Sequence, residues 1–336
     1  MTPPSPNTFI TRAAWIVLLL LVLAAAAALL GISLGSSGAS PKDVLRAVVG
    51  SSPDDDMLRD IIWRIRLPRV LFAMAVGAAL SLGGLVFQAL LRNPLAEPYI
   101  LGVSGGAAIG AIIGILLGLS RFPGVSLTAF SGSIATLCLI LFMSSGRFLL
   151  RKETLLLSGV MVNAFCSAVI MFLVSLTQDA RLHNILFWLM GDMGQGDILQ
   201  AALLWALLLP CFAVVFRYAN IMNLLLMGSE LAVTTGVNIK GVTVTLLAVS
   251  SLMISATVSQ CGLIGFVGLV VPHIFRLILG PDHRILLPTC LLGGSTYMVL
   301  CDTLARTLPR QGEMPAGVIT AMIGAPLFII LLKRKN

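Results

Sequence analysis

Charge is what this sequence has least of. Of its 336 residues only 11% are Asp, Glu, Lys or Arg, against about 25% in soluble globular chains. A soluble fold of this size could not cover its surface with so few charges. There is no GxxxxGK[ST], nor even a Gly-Lys pair, so the chain has no P-loop with which to cradle a nucleotide. HExxH and CxxC are absent as well, and the six cysteines (138, 166, 211, 261, 290, 301) are scattered through apolar tracts. The three histidines (183, 273, 283) fall in separate segments, which argues against haem ligation. No metal site, bound cofactor or catalytic residue is therefore expected. The net charge of +8 is spread without a basic stripe, so nucleic acid is not an expected partner.

What is present is apolar. Hydrophobic residues make up 58% of the chain, mean hydropathy is +1.01, and there are 32 glycines. The composition predicts an all-α integral membrane protein, because only closed backbone hydrogen bonding is stable in lipid. A crossing needs about 20 apolar residues. Tracts of that kind lie near 13–34, 70–91, 99–120, 125–146, 154–176, 198–216, 286–305 and 315–332. Between Lys240 and Arg276 lie thirty-five residues without a charge. A single helix there would be about 52 Å long, so two short crossings fit better, turning near Ser259-Gln260-Cys261-Gly262. The sum is about ten transmembrane helices in one domain over 1–336.

The first tract is longer than the apolar core of a signal peptide and reads as a retained span. With even parity, twelve Lys/Arg fall on the side of the termini and ten on the other. Six of those ten sit in the loop 35–69, diluted by aspartates. The short loops and the terminal Lys333-Arg334-Lys335 place both termini in the cytoplasm. The end of the 35–69 loop, IIWRIRLPR (61–69), carries Trp63 and three arginines, a composition that suits an anchor at headgroup depth.

Polar and Pro-rich breaks mark where helices cannot continue. Arg92-Asn93-Pro94-Leu95-Ala96-Glu97-Pro98 reads as a bent re-entry. Pro272, Pro315 and Gly324-Ala325-Pro326 interrupt later spans, a pattern tolerated where protein or a water-filled cavity satisfies the backbone. Gly102, Gly106, Gly110, Gly114 and Gly118 recur every fourth residue, a stripe for close helix packing. That stripe competes with another reading of the same segment. Gly102-Val103-Ser104-Gly105 is a GxSG, the nucleophile motif of intramembrane serine proteases, and would make Ser104 catalytic if a histidine faced it. Gly228-Ser229-Glu230-Leu231-Ala232-Val233-Thr234-Thr235-Gly236 reads as a short amphipathic helix between glycine breakers. It is either an ordinary surface helix or a docking helix for a cytoplasmic partner.

Several long stretches together resemble one family. They are RLPR (66–69), GAALSLGGLVFQALLRNPLAEPYILGVSGGAAIGA (77–111), MGSELAVTTGV (227–237), GLIGFVGLVVPHIFRLILGPDHRILLP (262–288), Asp302 with Ala305-Arg306, and EMPAGVITAMIGAPLFIILL (313–332). The chain resembles the FecCD or vitamin B12-type permease subunit of type II ABC importers, which take up iron–siderophores, haem and cobalamin across the bacterial inner membrane.

The resemblance implies a homodimer of ten-helix subunits, two cytoplasmic ATPase subunits that hold ATP and Mg, and a periplasmic substrate-binding protein. It implies docking of that binding protein on Arg66 and Arg306. It also implies coupling to the ATPase through Gly228, Ser229, Glu230, Leu231, Ala232 and Gly236, and an inner gate at Leu155, Leu156, Leu157, Ser158 and Gly159. Lys152 and Glu153 depart from the small hydroxyl residues of the vitamin B12 permease, which leans toward an iron chelate over a cobalamin-specific permease. A secondary transporter driven by an ion gradient would instead need no ATPase.

Overall fold

The computed structural model describes residues 6–34, 56–97, 99, 102–144, 152–177, 179–194, 196–228, 236–309 and 312–333. The chain is helical almost throughout. The helices are α1 (Pro6–Ser33), α2 (Leu67–Leu91), α3 (Val103–Leu116), α4 (Ser126–Ser144), α5 (Lys152–Ser175) and α6 (Asp179–Leu189). After these come α7 (Ile198–Arg217), α8 (Ala219–Met227), α9 (Ile239–Cys261), α10 (Val267–Leu279), α11 (His283–Thr307) and α12 (Ala316–Lys333). Among the described residues seven helices are long and apolar enough to cross a membrane, and three shorter ones are apolar, α3, α10 and most of α12. These ten follow the ten expected tracts in order.

The differences are local and have backbone causes. The tract 99–120 yields only the 14 residues of α3. Gly102 (φ 65°) and Gly118 (φ 72°) sit in the left-handed region that ends helices, one at each boundary. The uncharged tract divides not at one turn but over 262–266, between a left-handed Gly262 and a left-handed Phe266. The last part of the expected loop 35–69 is helical instead. Residues Asp56–Ile61 and a π-helical turn, Ile62–Arg66, lead directly into α2.

α2 lies at the centre. Nearly every side chain from Pro68 to Leu91 is buried, against α11, α9, α10 and α7. Membrane helices have no hydrophobic drive to associate, so contact depends on how closely their backbones approach. Here glycines permit it. A Cβ on Gly77 would sit 2.1 Å from the carbonyl oxygen of Gly294 on α11. One on Gly84 would sit 1.9 Å from the carbonyl oxygen of Gly268 on α10. Side chains fix the register: Ser295 donates to Met74 O (2.9 Å) and Trp205 Nε1 to Leu71 O (3.0 Å).

Gly84→Leu is expected to abolish the monodisperse peak in size-exclusion chromatography of the detergent-solubilised protein. Gly265→Ala, whose added Cβ meets only Glu97 Oε1 at 3.7 Å, is expected to keep it. Equal behaviour of the two variants would contradict this packing.

Candidate functional site

One end of the bundle is held by an ionic cluster. Arg69, at the start of α2, forks onto Asp302 of α11, with Nε and Nη2 at 3.1 and 3.0 Å from Oδ1. Its Nη1 reaches Glu313, just before α12, at 2.6 Å. Asp302 also pairs with Arg306 one helical turn on, at 3.1 Å. Two arginines then turn to α1: Arg306 Nη2 donates to Gly31 O (3.2 Å), and Arg66 Nη1 to Ile32 O (2.8 Å) and Ser33 O (3.0 Å). These carbonyls end a helix and have no intrahelical partner among the described residues, so cationic donors suit both the hydrogen bonds and the helix dipole. The two arginines expected to dock a partner thus lie 4% and 8% exposed, as caps of α1. Trp63 and Arg64, one turn earlier, remain exposed, as an interfacial anchor would.

The middle of the bundle contains a broken helix. α10 is 13 residues long, about 20 Å, too short to span the hydrocarbon alone. Its start is fastened by Glu97 and Tyr99. The Glu97 carboxylate accepts from Phe266 N at 2.9 Å, which places an anion on a helix N-terminus. The Tyr99 hydroxyl donates to Ile264 O (2.5 Å) and accepts from Ile264 N (3.0 Å). Backbones close in from two further elements. A Cβ on Gly262 would meet Trp188 O at 2.1 Å, and one on Gly317 would meet Met190 O at 2.3 Å. Ile264 and Phe266, inside the break, thus find protein partners for backbone groups that no helix satisfies.

The opposite end joins α8 to the start of α11. Asn223 Oδ1 accepts from His283 N (2.8 Å) and lies 2.8 Å from His283 Nδ1. Asn223 Nδ2 donates to Asp282 Oδ1 at 2.8 Å. Asp282 caps α11 by accepting from Arg284 N. Burial raises the Asp282 carboxyl, but the Arg284 and Asn223 hydrogen bonds outweigh it and hold it down at about 2. The expected coupling segment follows α8 directly. Gly228 (φ 136°) and Gly236 (φ 78°) bound it with backbone that favours glycine. Ser229, Glu230, Leu231 and Ala232 lie outside the described residues.

The residues expected to form an inner gate occupy the first turns of α5. Leu155, Ser158 and Gly159 are buried, Leu156 is half-buried and Leu157 is exposed, while Ser158 Oγ donates back to Thr154 O. In the glycine series, Gly106, Gly110 and Gly114 face α4, where an added Cβ would meet Thr136, Thr128 O and Thr128 Oγ1 at 1.9–2.4 Å. Gly102 and Gly118 bound the helix, and the space beside Gly118 is open. Ser104 is buried in the first turn of α3, and among the described residues no hydrogen bond joins it to a histidine.

Sequence reasoning did not assign the ion pairs of Arg69, Asp302 and Glu313, the capping role of Glu97, or Asn223. Two signals were available. Asp302 and Arg306 stand four apart on a helix, the spacing of an ion pair. Arg66 and Arg69 stand three apart, which puts both on one face of a helix running through them.

A bundle of apolar helices around a glycine-lined central helix, with one helix interrupted at depth, defines a multi-pass membrane permease. The sequence pattern of the FecCD transport family matches residues 18–334, and the chain belongs to that family of ABC transporter permeases. It is 39% identical over 314 residues to the hemin transport system permease protein HmuU of Yersinia pestis, covering 92% of this chain and 93% of that one. It is 39% identical over 307 residues to the vitamin B12 import system permease protein BtuC of Escherichia coli, covering 90% of each. A solved structure described as a metal-chelate type ABC transporter in an inward-facing conformation superposes with a TM-score of 0.83, at 30% identity, over 96% of this chain and 99% of that one.

Asp302→Asn would leave two buried guanidinium groups without their shared carboxylate, a loss of about 3–5 kcal/mol. Glu313 is 54% exposed, and Glu313→Gln should cost about 1 kcal/mol or less. Thermal unfolding of the two variants in detergent checks the difference, and a larger drop for Glu313→Gln would contradict the assignment.

Proposed function

We propose that this chain is the membrane subunit of an ABC importer that carries an iron chelate, either a siderophore complex or haem, or a corrinoid, across the bacterial inner membrane. The observation that carries the reading is the likeness to both a hemin and a vitamin B12 permease over nine-tenths of each chain. The subunit works as a homodimer by alternating access. Two separate ATPase subunits hold ATP and Mg, and a periplasmic protein delivers the cargo. Both termini are cytoplasmic, which puts the Arg69–Asp302 end outside and the Asn223–Asp282 end inside.

The broken middle suits this work. Two packings of a continuous helix differ little, whereas a helix fastened at its N-terminus by Glu97 and Tyr99 can tilt as a unit about the 262–266 segment. Force reaches it from segment 228–236. That segment is continuous with α8, and α8 is tied through Asn223 to Asp282 and His283 at the start of α11. Docking of the binding protein on Arg66 and Arg306 requires an exchange. Carboxylates of the partner replace the α1 carbonyls and Asp302 as acceptors, and charge-assisted pairing of this kind orients a transient complex. The gate at Leu155–Gly159 closes the path on the inner side.

Reconstituted in proteoliposomes with the ATPase and binding protein encoded beside it, the chain is expected to support uptake that requires ATP. Ala232→Arg should abolish stimulation of ATP hydrolysis by the loaded binding protein while the chain still elutes as a folded species. Uptake driven by an ion gradient without the ATPase would refute the importer, and retained stimulation in Ala232→Arg would refute the coupling role.

A further inference from the structure

Arg69 holds two carboxylates that differ in reach. Asp302 is buried and shared with Arg306, and freeing it would strand charges at depth. Glu313 is exposed and stands three residues before α12, and its one ion pair among the described residues is the 2.6 Å contact with Arg69 Nη1. An exposed partner of this kind adds little to stability and opens readily. The helix it leads into forms one wall of the broken segment. A Cβ on Gly317 would lie 2.9 Å from Leu263 O, and one on Gly324 would lie 2.5 Å from Phe266 Cβ. Further along, Phe328 meets His273 of α10 edge to face, with ring centres 5.6 Å apart. Among the described residues the other polar ties at the start of α12 reach backbone oxygens. Met314 N donates to Ala305 O (3.1 Å), Gly317 N to Gly191 O (3.0 Å) and the Tyr297 hydroxyl to Thr320 O (3.2 Å).

With contacts this close, α12 cannot shift without moving residues 263–266, from which α10 starts. Glu313 also occupies the Nη1 that a second anion would need, so exchange at Arg69 and release of α12 are one event. We propose that Glu313 is a positioning residue: its pairing with Arg69 latches α12 onto the break, and a partner carboxylate that takes over Nη1 frees the helix to move. This rests on the importer reading, which supplies the partner and puts this end of the bundle outside. The resting state of the chain then depends on one charge that contributes little to its fold.

The full chain alone in phosphatidylcholine nanodiscs gives the first readout. Glu313→Gln is expected to speed amide hydrogen exchange over residues 314–320 about threefold and to leave 299–306 as native. The second readout is ATP hydrolysis by the chain with the ATPase encoded beside it, without binding protein or cargo. There the same variant should raise the rate about threefold, because it mimics the docked partner. Glu313→Asp, which keeps the charge, should stay near the native rate. A helix merely loosened would lower that rate rather than raise it. Native exchange over 314–320 would overturn the latch, as would an unchanged or lowered rate in Glu313→Gln or an equal rise in Glu313→Asp. If exchange responds as described but the native complex hydrolyses no ATP, the latch stands and the importer reading fails instead.

Discussion

The buried pairing of Arg69 with Asp302 is the contact on which the arrangement of one end of the bundle depends. It joins α2, the most buried helix, to α11, whose backbone α2 also approaches closely at Gly77 and Gly294. Two charges at this depth are costly to desolvate, a cost offset by the ionic and hydrogen-bonding groups gathered around the pair. Asp302 receives two arginines, Arg69 also holds Glu313, and Arg306 and Arg66 donate to the end of α1. In this way one carboxylate positions three helices and the approach to a fourth.

That arrangement has a functional consequence. α11 is 25 residues long, about 37 Å, and runs from the Asp302 cluster to the Asn223–His283 contact at the other end. A helix anchored by polar contacts at both ends can carry displacement from one end of the bundle to the other. Packing alone would serve less well, because glycine contacts between helices allow sliding. Between the two ends, α10 is the deformable part: short, started by a left-handed residue, and held by hydrogen bonds from a separate segment. Stiff rods around a broken one are what alternating access needs.

Much of this was legible in the sequence. The scarcity of charge identified the lipid environment, and apolar run lengths placed the ten crossings within a few residues. The break in the 240–276 tract was legible because an uncharged stretch that long cannot be a single span. Charge at the Arg69 end was harder to read. In RLPR and in Asp302-Thr303-Leu304-Ala305-Arg306, arginine near a membrane boundary reads as an interfacial anchor or a docking residue, and both readings assume exposure. Burial of Arg66, Arg69 and Arg306 follows from partners more than two hundred residues away in sequence, or on another helix, which no local pattern encodes. The glycine series shows the same limit. Its spacing of four identified a packing face, but which glycines pack and which end the helix depends on φ, and Gly102 and Gly118 are left-handed. Asn223, in the short helix α8, and Glu97, in a loop, gave no signal, because single polar residues at such places are common and only their acceptors and donors make them informative.

The account is tested most directly by a double-mutant cycle on Arg69 and Asp302, with thermal stability of the purified chain as the readout. Arg69→Met and Asp302→Leu should each be severely destabilising, because each leaves the other charge buried. The double variant, with an apolar pair in their place, should recover part of that loss, giving a coupling larger than about 1 kcal/mol. Losses that simply add would contradict the claim that this pair organises its end of the bundle.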